Sequence, residues 1–182
     1  MKLRDYFEKG LTPEEYTGLL GEQRALHELH FRRSRPSKED LVKVRLTGPQ
    51  RVLVITEPWC GDSLAILPVV IKLFQEAGNG EIRVVLRDQN PELIDRYLTH
   101  GGRAIPIVVF LDKNFEERFH WGPRPTQAQA IVEDRREDLK QGRIARSEII
   151  PQIRSFYSRD QGRAIVEELC RALTASDRSQ TD

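Results

Sequence analysis

Val52, Leu53, Val54 and Ile55 form an unbroken apolar run rich in β-branched side chains, the pattern of a strand covered on both faces of a sheet. Glu57-Pro58 ends that run, and from Ser63 the period changes. Leu64, Leu67, Val70, Ile71 and Phe74 recur at three- and four-residue steps, which predicts a helix from near Cys60 to Ala77, stopped by Gly78-Asn79-Gly80. Ile82, Val84, Val85 and Leu86 predict a second strand, and Asn90-Pro91 opens a helix whose apolar side is Leu93, Ile94, Tyr97 and Leu98, closed by His100-Gly101-Gly102. Residues 107–111 predict a third strand; Asp112-Lys113-Asn114 then turns the chain into an antiparallel hairpin with residues 115–121. Alternating strands and helices predict an α/β class. A right-handed crossover places the C-terminal end of the first strand, and hence Cys60, at the sheet edge where open α/β folds keep their sites.

The flanks are helical. Residues 3–35 are expected to be largely helix, with Thr12-Pro13-Glu14-Glu15 combining an N-cap threonine, a proline at the first helical position and a glutamate three residues after the cap. Tyr16, Leu19, Leu20, Gln23, Leu26, His27 and His30 follow one stripe. Arg32, Arg33 and Arg35 precede Pro36 and read as favourable charge at a helix C-terminus; Ser37 caps a short helix to about Leu46. After Pro125, Thr126 is expected to cap a mostly solvated helix to about Gln141, and a last helix from Ser147 to about Leu173 is interrupted by Pro151 and Gly162. Residues 176–182 read as a frayed tail. The expected division is a helical extension over 1–48, a core over 49–125 and a second helical extension over 126–182 packed on it.

Composition removes several function classes. The 182-residue chain carries 29 basic and 28 acidic residues for a net charge of +1, so no global field calls for nucleic acid or an anionic membrane. Residues 1–10 are too charged for a signal peptide and no apolar run reaches membrane-span length, which points to a cytoplasmic protein. Cys60 and Cys170 are too far apart in sequence to resemble a disulfide framework or a zinc site. His27 and His30 share a helix face without a third ligand, so no metal and no cofactor are expected. Cys170 lies among Val166, Leu169 and Leu173 and reads as a small buried hydrophobe.

Cys60 is the candidate nucleophile. At a helix N-terminus, unsatisfied N–H groups and the dipole favour a thiolate, the reactive form in disulfide chemistry. The stretch Trp59, Cys60, Gly61 and Pro68 resembles the thioredoxin superfamily, whose Trp-Cys-Gly-Pro-Cys motif is followed by a helix-kinking proline eight residues after the first cysteine. Arg87-Asp88-Gln89-Asn90-Pro91 is similar to the family's Asp-Gln-Asn-Pro, Arg103-Ala104-Ile105-Pro106 to its Arg-Gly-Ile-Pro, and Gly122 follows Pro106 by sixteen residues as in the family. With Asp62 and Ser63 after Gly61, the whole pattern resembles a bacterial branch carrying Trp-Cys-Gly-Asp.

The resemblance implies a thioredoxin-like fold, a central mixed sheet of about four strands flanked by helices, with helical N- and C-terminal extensions. It also implies a cis Ile105-Pro106 bond lying against a partly exposed Cys60, and a substrate surface made of Trp59, Gly61, Asp62, Ile105, Pro106, Trp121 and Gly122. Two departures matter: Ser63 replaces the second cysteine, and Val54 stands where the family has a buried aspartate. Ser63 cannot release a mixed disulfide, though its hydroxyl can donate to Cys60. Asp62 suits the first helical turn but raises a nearby thiol pKa, and its net effect stays open. The implied activity is monothiol exchange, with Cys60 and Ser63 catalytic, on a disulfide-containing or glutathionylated protein or a small thiol, resolved by an external thiol. A redox-inactive thioredoxin-fold binding module is the alternative. Glutathione-supported iron–sulfur binding is disfavoured because Cys-Gly-Phe-Ser is absent.

Overall fold

In the computed structural model, which describes residues 1–178, the chain runs through four helices before its first strand: α1 (Leu3–Lys9), α2 (Pro13–Gly18), α3 (Arg24–Arg33) and α4 (Lys38–Leu46). The capping box predicted at Thr12 is formed, with the Thr12 hydroxyl accepting from Glu15 N at 3.2 Å and Glu15 accepting from Thr12 N at 2.7 Å. The expected long helix is nevertheless divided, at Gly10–Thr12 and by a 3-10 turn at Gly21–Gln23. At the first break Leu11 leaves helix to exchange two 2.8 Å backbone bonds with Val84, covering an exposed sheet edge.

The core follows as β1 (Gln50–Thr56), α5 (Gly61–Ala77), β2 (Gly80–Leu86), α6 (Pro91–Ile94), β3 (Ile107–Leu111) and β4 (Glu117–Trp121). The sheet order is β2-β1-β3-β4; β1 pairs parallel with β2 and antiparallel with β3, with Val54 opposite both Val84 and Val108. The sheet is thus mixed, and the fold is α/β and thioredoxin-like. Strand side chains alternate between two cores. Val52, Val54, Val84, Val108 and Phe110 face the α5 side, where α3, α4 and the C-terminal helix also pack, while Leu53, Ile55, Val85, Ile107 and Val109 face Phe7, Leu93 and Ile94. α6 is shorter than predicted: Arg96 N and Tyr97 N bond back only three residues, to Leu93 and Ile94, and tighten the chain into turns.

After β4 come α7 (Thr126–Glu133), α8 (Arg136–Lys140), α9 (Arg146–Asp160) and α10 (Arg163–Arg178). The single helix predicted to Gln141 is split because Arg135 leaves helical geometry at φ −112°, and Pro125, not Thr126, is the N-cap. Pro151 is held inside α9; the interruption is at Gln161 and Gly162, both at positive φ. A side chain at Gly162 would meet Val69 Cγ2 at 2.6 Å, so the α9–α10 turn sits directly on α5. α10 includes residues 176–178, expected to be frayed, while 179–182 lie outside the described residues. Arg163 ties this end to α4, donating to the buried Asp40 carboxylate at 2.6 Å. Among the described residues no helix is long and apolar enough to cross a membrane.

Candidate functional site

β1 delivers the chain to Thr56, and a tight turn closed by Cys60 N on the Glu57 carbonyl at 3.1 Å brings Cys60 to the N-cap of α5, at φ −78°, ψ 115°. From that position the first-turn N–H groups of Asp62 and Ser63 favour the thiolate electrostatically, though the side chain makes no cap hydrogen bond. The sequence expectation of a partly exposed sulfur is corrected: Cys60 is 8% exposed. Its Sγ donates to the Ile105 carbonyl at 3.5 Å, beside the cis Ile105–Pro106 peptide. Burial pushes the thiol pKa above its ordinary value and the Asp62 charge adds to that; the Ser63 hydroxyl and the two N–H groups pull the other way and do not offset it. Desolvation thus works against the helix-stabilised thiolate expected from sequence.

Ser63 is fully buried, and its Oγ accepts from Thr56 Oγ1 at 2.5 Å, leaving its own proton for Cys60. Tyr16, also fully buried, donates to the Glu57 carbonyl at 3.2 Å and has its pKa pushed up to about 12 by burial. The buried hydroxyls of Tyr16, Thr56 and Ser63 thus gather where β1 ends and α5 begins.

Asp62, whose effect the sequence left open, is held in place. Its carboxylate accepts from Arg124 Nη2 at 2.6 Å and from the Tyr157 hydroxyl at 2.8 Å, joining the start of α5 to the β4–α7 loop and to α9. Burial opposes the Arg124 charge, but the Asp62 carboxylate outweighs it and holds that guanidinium firmly charged. Neither partner was singled out from sequence: Arg124 is 62 positions from Asp62 and Tyr157 is 95. Arg87, named from sequence only as the head of a motif and given no site role there, stacks 4.8 Å over the exposed Trp59 ring and donates to the Arg103 carbonyl at 3.1 Å.

A groove of about 1480 Å³ opens over this site, lined by Trp59, Cys60, Gly61, Asp62 and Ile105 among the sequence-predicted residues. The other predicted residues lie behind it. Pro106 is buried, and Gly122, at φ +127°, packs so closely on it that a Cβ would sit 2.4 Å from the Pro106 carbonyl oxygen. Trp121 was expected on the rim, but its indole donates to Glu168 of α10 at 2.8 Å and the ring packs on the α5-side core. Cys170 is 5% exposed in that same core, donates to the Asp40 carbonyl at 3.8 Å, and has its pKa pushed up to about 11 by burial. Among the described residues no group of three or more His, Cys, Asp or Glu is placed to hold a metal.

The family model described as Thioredoxin matches residues 13–140 of the chain. Among solved structures, a protein of unknown function from Pseudomonas aeruginosa aligns with a TM-score of 0.73 at 17% identity, covering 97% of this chain and 99% of that one. An HIV epitope-scaffold aligns with a TM-score of 0.72 at 16% identity, covering 96% and 99%. At such identities these likenesses show the fold alone. No curated protein matches the chain.

Proposed function

The chain belongs to the thioredoxin family, and from that premise we propose that it is a monothiol exchange protein, of the Trp-Cys-Gly-Asp kind, in which Cys60 is the nucleophile and an external small thiol completes the cycle. The observation that carries this reading is the placement of Cys60 at the N-cap of α5, on the floor of an open groove and 3.5 Å from the Ile105 carbonyl. The Cys60 thiolate attacks one sulfur of a substrate disulfide, whose S–S bond breaks, and the departing thiolate takes a proton from water. The resulting mixed disulfide is then attacked by an external thiolate, which forms a new disulfide with the substrate half and restores the Cys60 thiolate. Ser63 donates to the sulfur and takes no covalent part.

The raised thiol pKa slows this chemistry without abolishing it. Each unit of increase lowers the thiolate fraction about tenfold, while intrinsic nucleophilicity recovers roughly threefold, leaving a net loss of about threefold per unit at neutral pH. The same enclosure of Cys60 favours a second reading, a redox-inactive binding module that keeps the groove. Insulin reduction driven by dithiothreitol separates the two. The exchange reading expects slow turnover by the parent, none above background by Cys60→Ala, and a gain of about tenfold or more in Ser63→Cys, whose new thiol stands one helical turn from Cys60. A parent indistinguishable from Cys60→Ala supports the binding module. A Ser63→Cys variant that closes its disulfide yet gains nothing shows that the missing second thiol is not what limits turnover, and moves attention to Val54, fully buried where the family carries an acid.

A further inference from the structure

The groove over Cys60 has a charge imbalance that the whole chain lacks. Its lining holds eight arginine and lysine side chains and only three carboxylates, against a net charge of +1 for all 182 residues. Each of those carboxylates already has an arginine partner: Asp62 has Arg124, Asp88 has Arg87, and Glu133 has Arg136. Arg33, Lys140, Arg146 and Arg154 line the same space, are exposed, and make no ion pair among the described residues. Between these cations the groove presents apolar surface, with Leu26 38%, Ile150 42% and Trp59 59% exposed.

We infer that the groove binds an acidic polypeptide segment carrying apolar anchors, and that this segment presents the disulfide to Cys60; the second half of this statement rests on Cys60 being the exchange nucleophile. The volume, about 1480 Å³, exceeds the roughly 300–1,000 Å³ of small-molecule pockets and suits a stretch of chain. Unpaired cations around an apolar floor complement a peptide that alternates carboxylates with apolar side chains. A nucleic acid asks instead for a continuous positive track along its phosphates, with aromatic faces for its bases. Of the three exposed apolar residues on this floor, Leu26 and Ile150 are aliphatic.

The test uses three fluorescein-labelled peptides of equal length and apolar content, one acidic, one neutral and one basic, titrated by anisotropy into Cys60→Ser protein, so that binding is read apart from thiol chemistry. The acidic peptide should bind about tenfold or more tighter than the basic one at low salt, and the difference should collapse toward 0.5 M salt. Arg146→Glu with Arg154→Glu should weaken acidic-peptide binding by about tenfold, with Arg33→Glu as a second variant should the pair lose its thermal transition. Equal binding of the three peptides overturns the inference, as does a single-stranded oligonucleotide that displaces the acidic peptide at equal concentration. Exchange between parent Cys60 and a small neutral disulfide is measured separately. Failure there with acidic-peptide binding intact removes the nucleophile reading and leaves the groove as a binding site; exchange without charge preference removes only the acidic segment.

Discussion

A thiol that donates to the Ile105 carbonyl at 3.5 Å is satisfied while protonated, whereas a thiolate in the same place faces a carbonyl oxygen and little water. The sequence showed where Cys60 lies along the chain but not how deeply, because its burial involves residues as distant as Ile105, 45 positions away, as well as its neighbours. His27 illustrates the same limit. It is 4% exposed, its Nδ1 has no partner, and burial lowers its pKa to about 4. A group whose folded pKa is depressed contributes stability above its unfolded pKa, near 6.5, and that contribution is lost as pH falls toward 4. Urea unfolding of the parent and of His27→Leu should therefore diverge, the parent losing about 2 kcal/mol more between pH 7 and pH 4.5. Parallel losses would show that His27 takes up its proton without cost.

At the scale of elements, β1, α5, β2 and the β3–β4 hairpin were legible because each carries its own period and its own stop signals. α6 was overestimated since Tyr97 and Leu98 continue a helical spacing while the backbone tightens into three-residue turns. The Asp62 tether could not be read at all: it joins three elements through residues 62 and 95 positions apart, and no local pattern encodes such a pair. With side chains only 12% and 19% exposed, Asp62 and Arg124 form a pair in which removal of one partner strands the other. A double-mutant cycle with Asp62→Asn and Arg124→Gln, read by thermal or urea unfolding, should give a coupling of about 1–2 kcal/mol. Asp62→Asn should also speed iodoacetamide alkylation of Cys60 at pH 7.5, since the lost charge is one that raises the thiol pKa. Zero coupling, or slower alkylation, contradicts this account of Asp62.

Across the whole molecule, the net charge of +1 conceals a local imbalance. Arg33, Lys140, Arg146 and Arg154 are scattered through the sequence among nearby acids, and only the fold, with α3 packed on α5 and α7 against α8 and α9, gathers them around the groove over Cys60. Packing likewise separates the two thiols: Cys60 belongs to one core and Cys170 to the other, where its environment holds it protonated. The central claim, that Cys60 alone forms mixed disulfides, is tested most directly by intact and peptide mass spectrometry after incubating the folded protein with a small symmetrical disulfide from pH 7 to pH 10. The account predicts one adduct per chain, on Cys60, forming faster as pH rises beyond 9, absent from Cys60→Ala, unchanged by Cys170→Ala, and removed by added thiol. No adduct on Cys60 at pH 9, or a peptide linking Cys60 to Cys170, would contradict it.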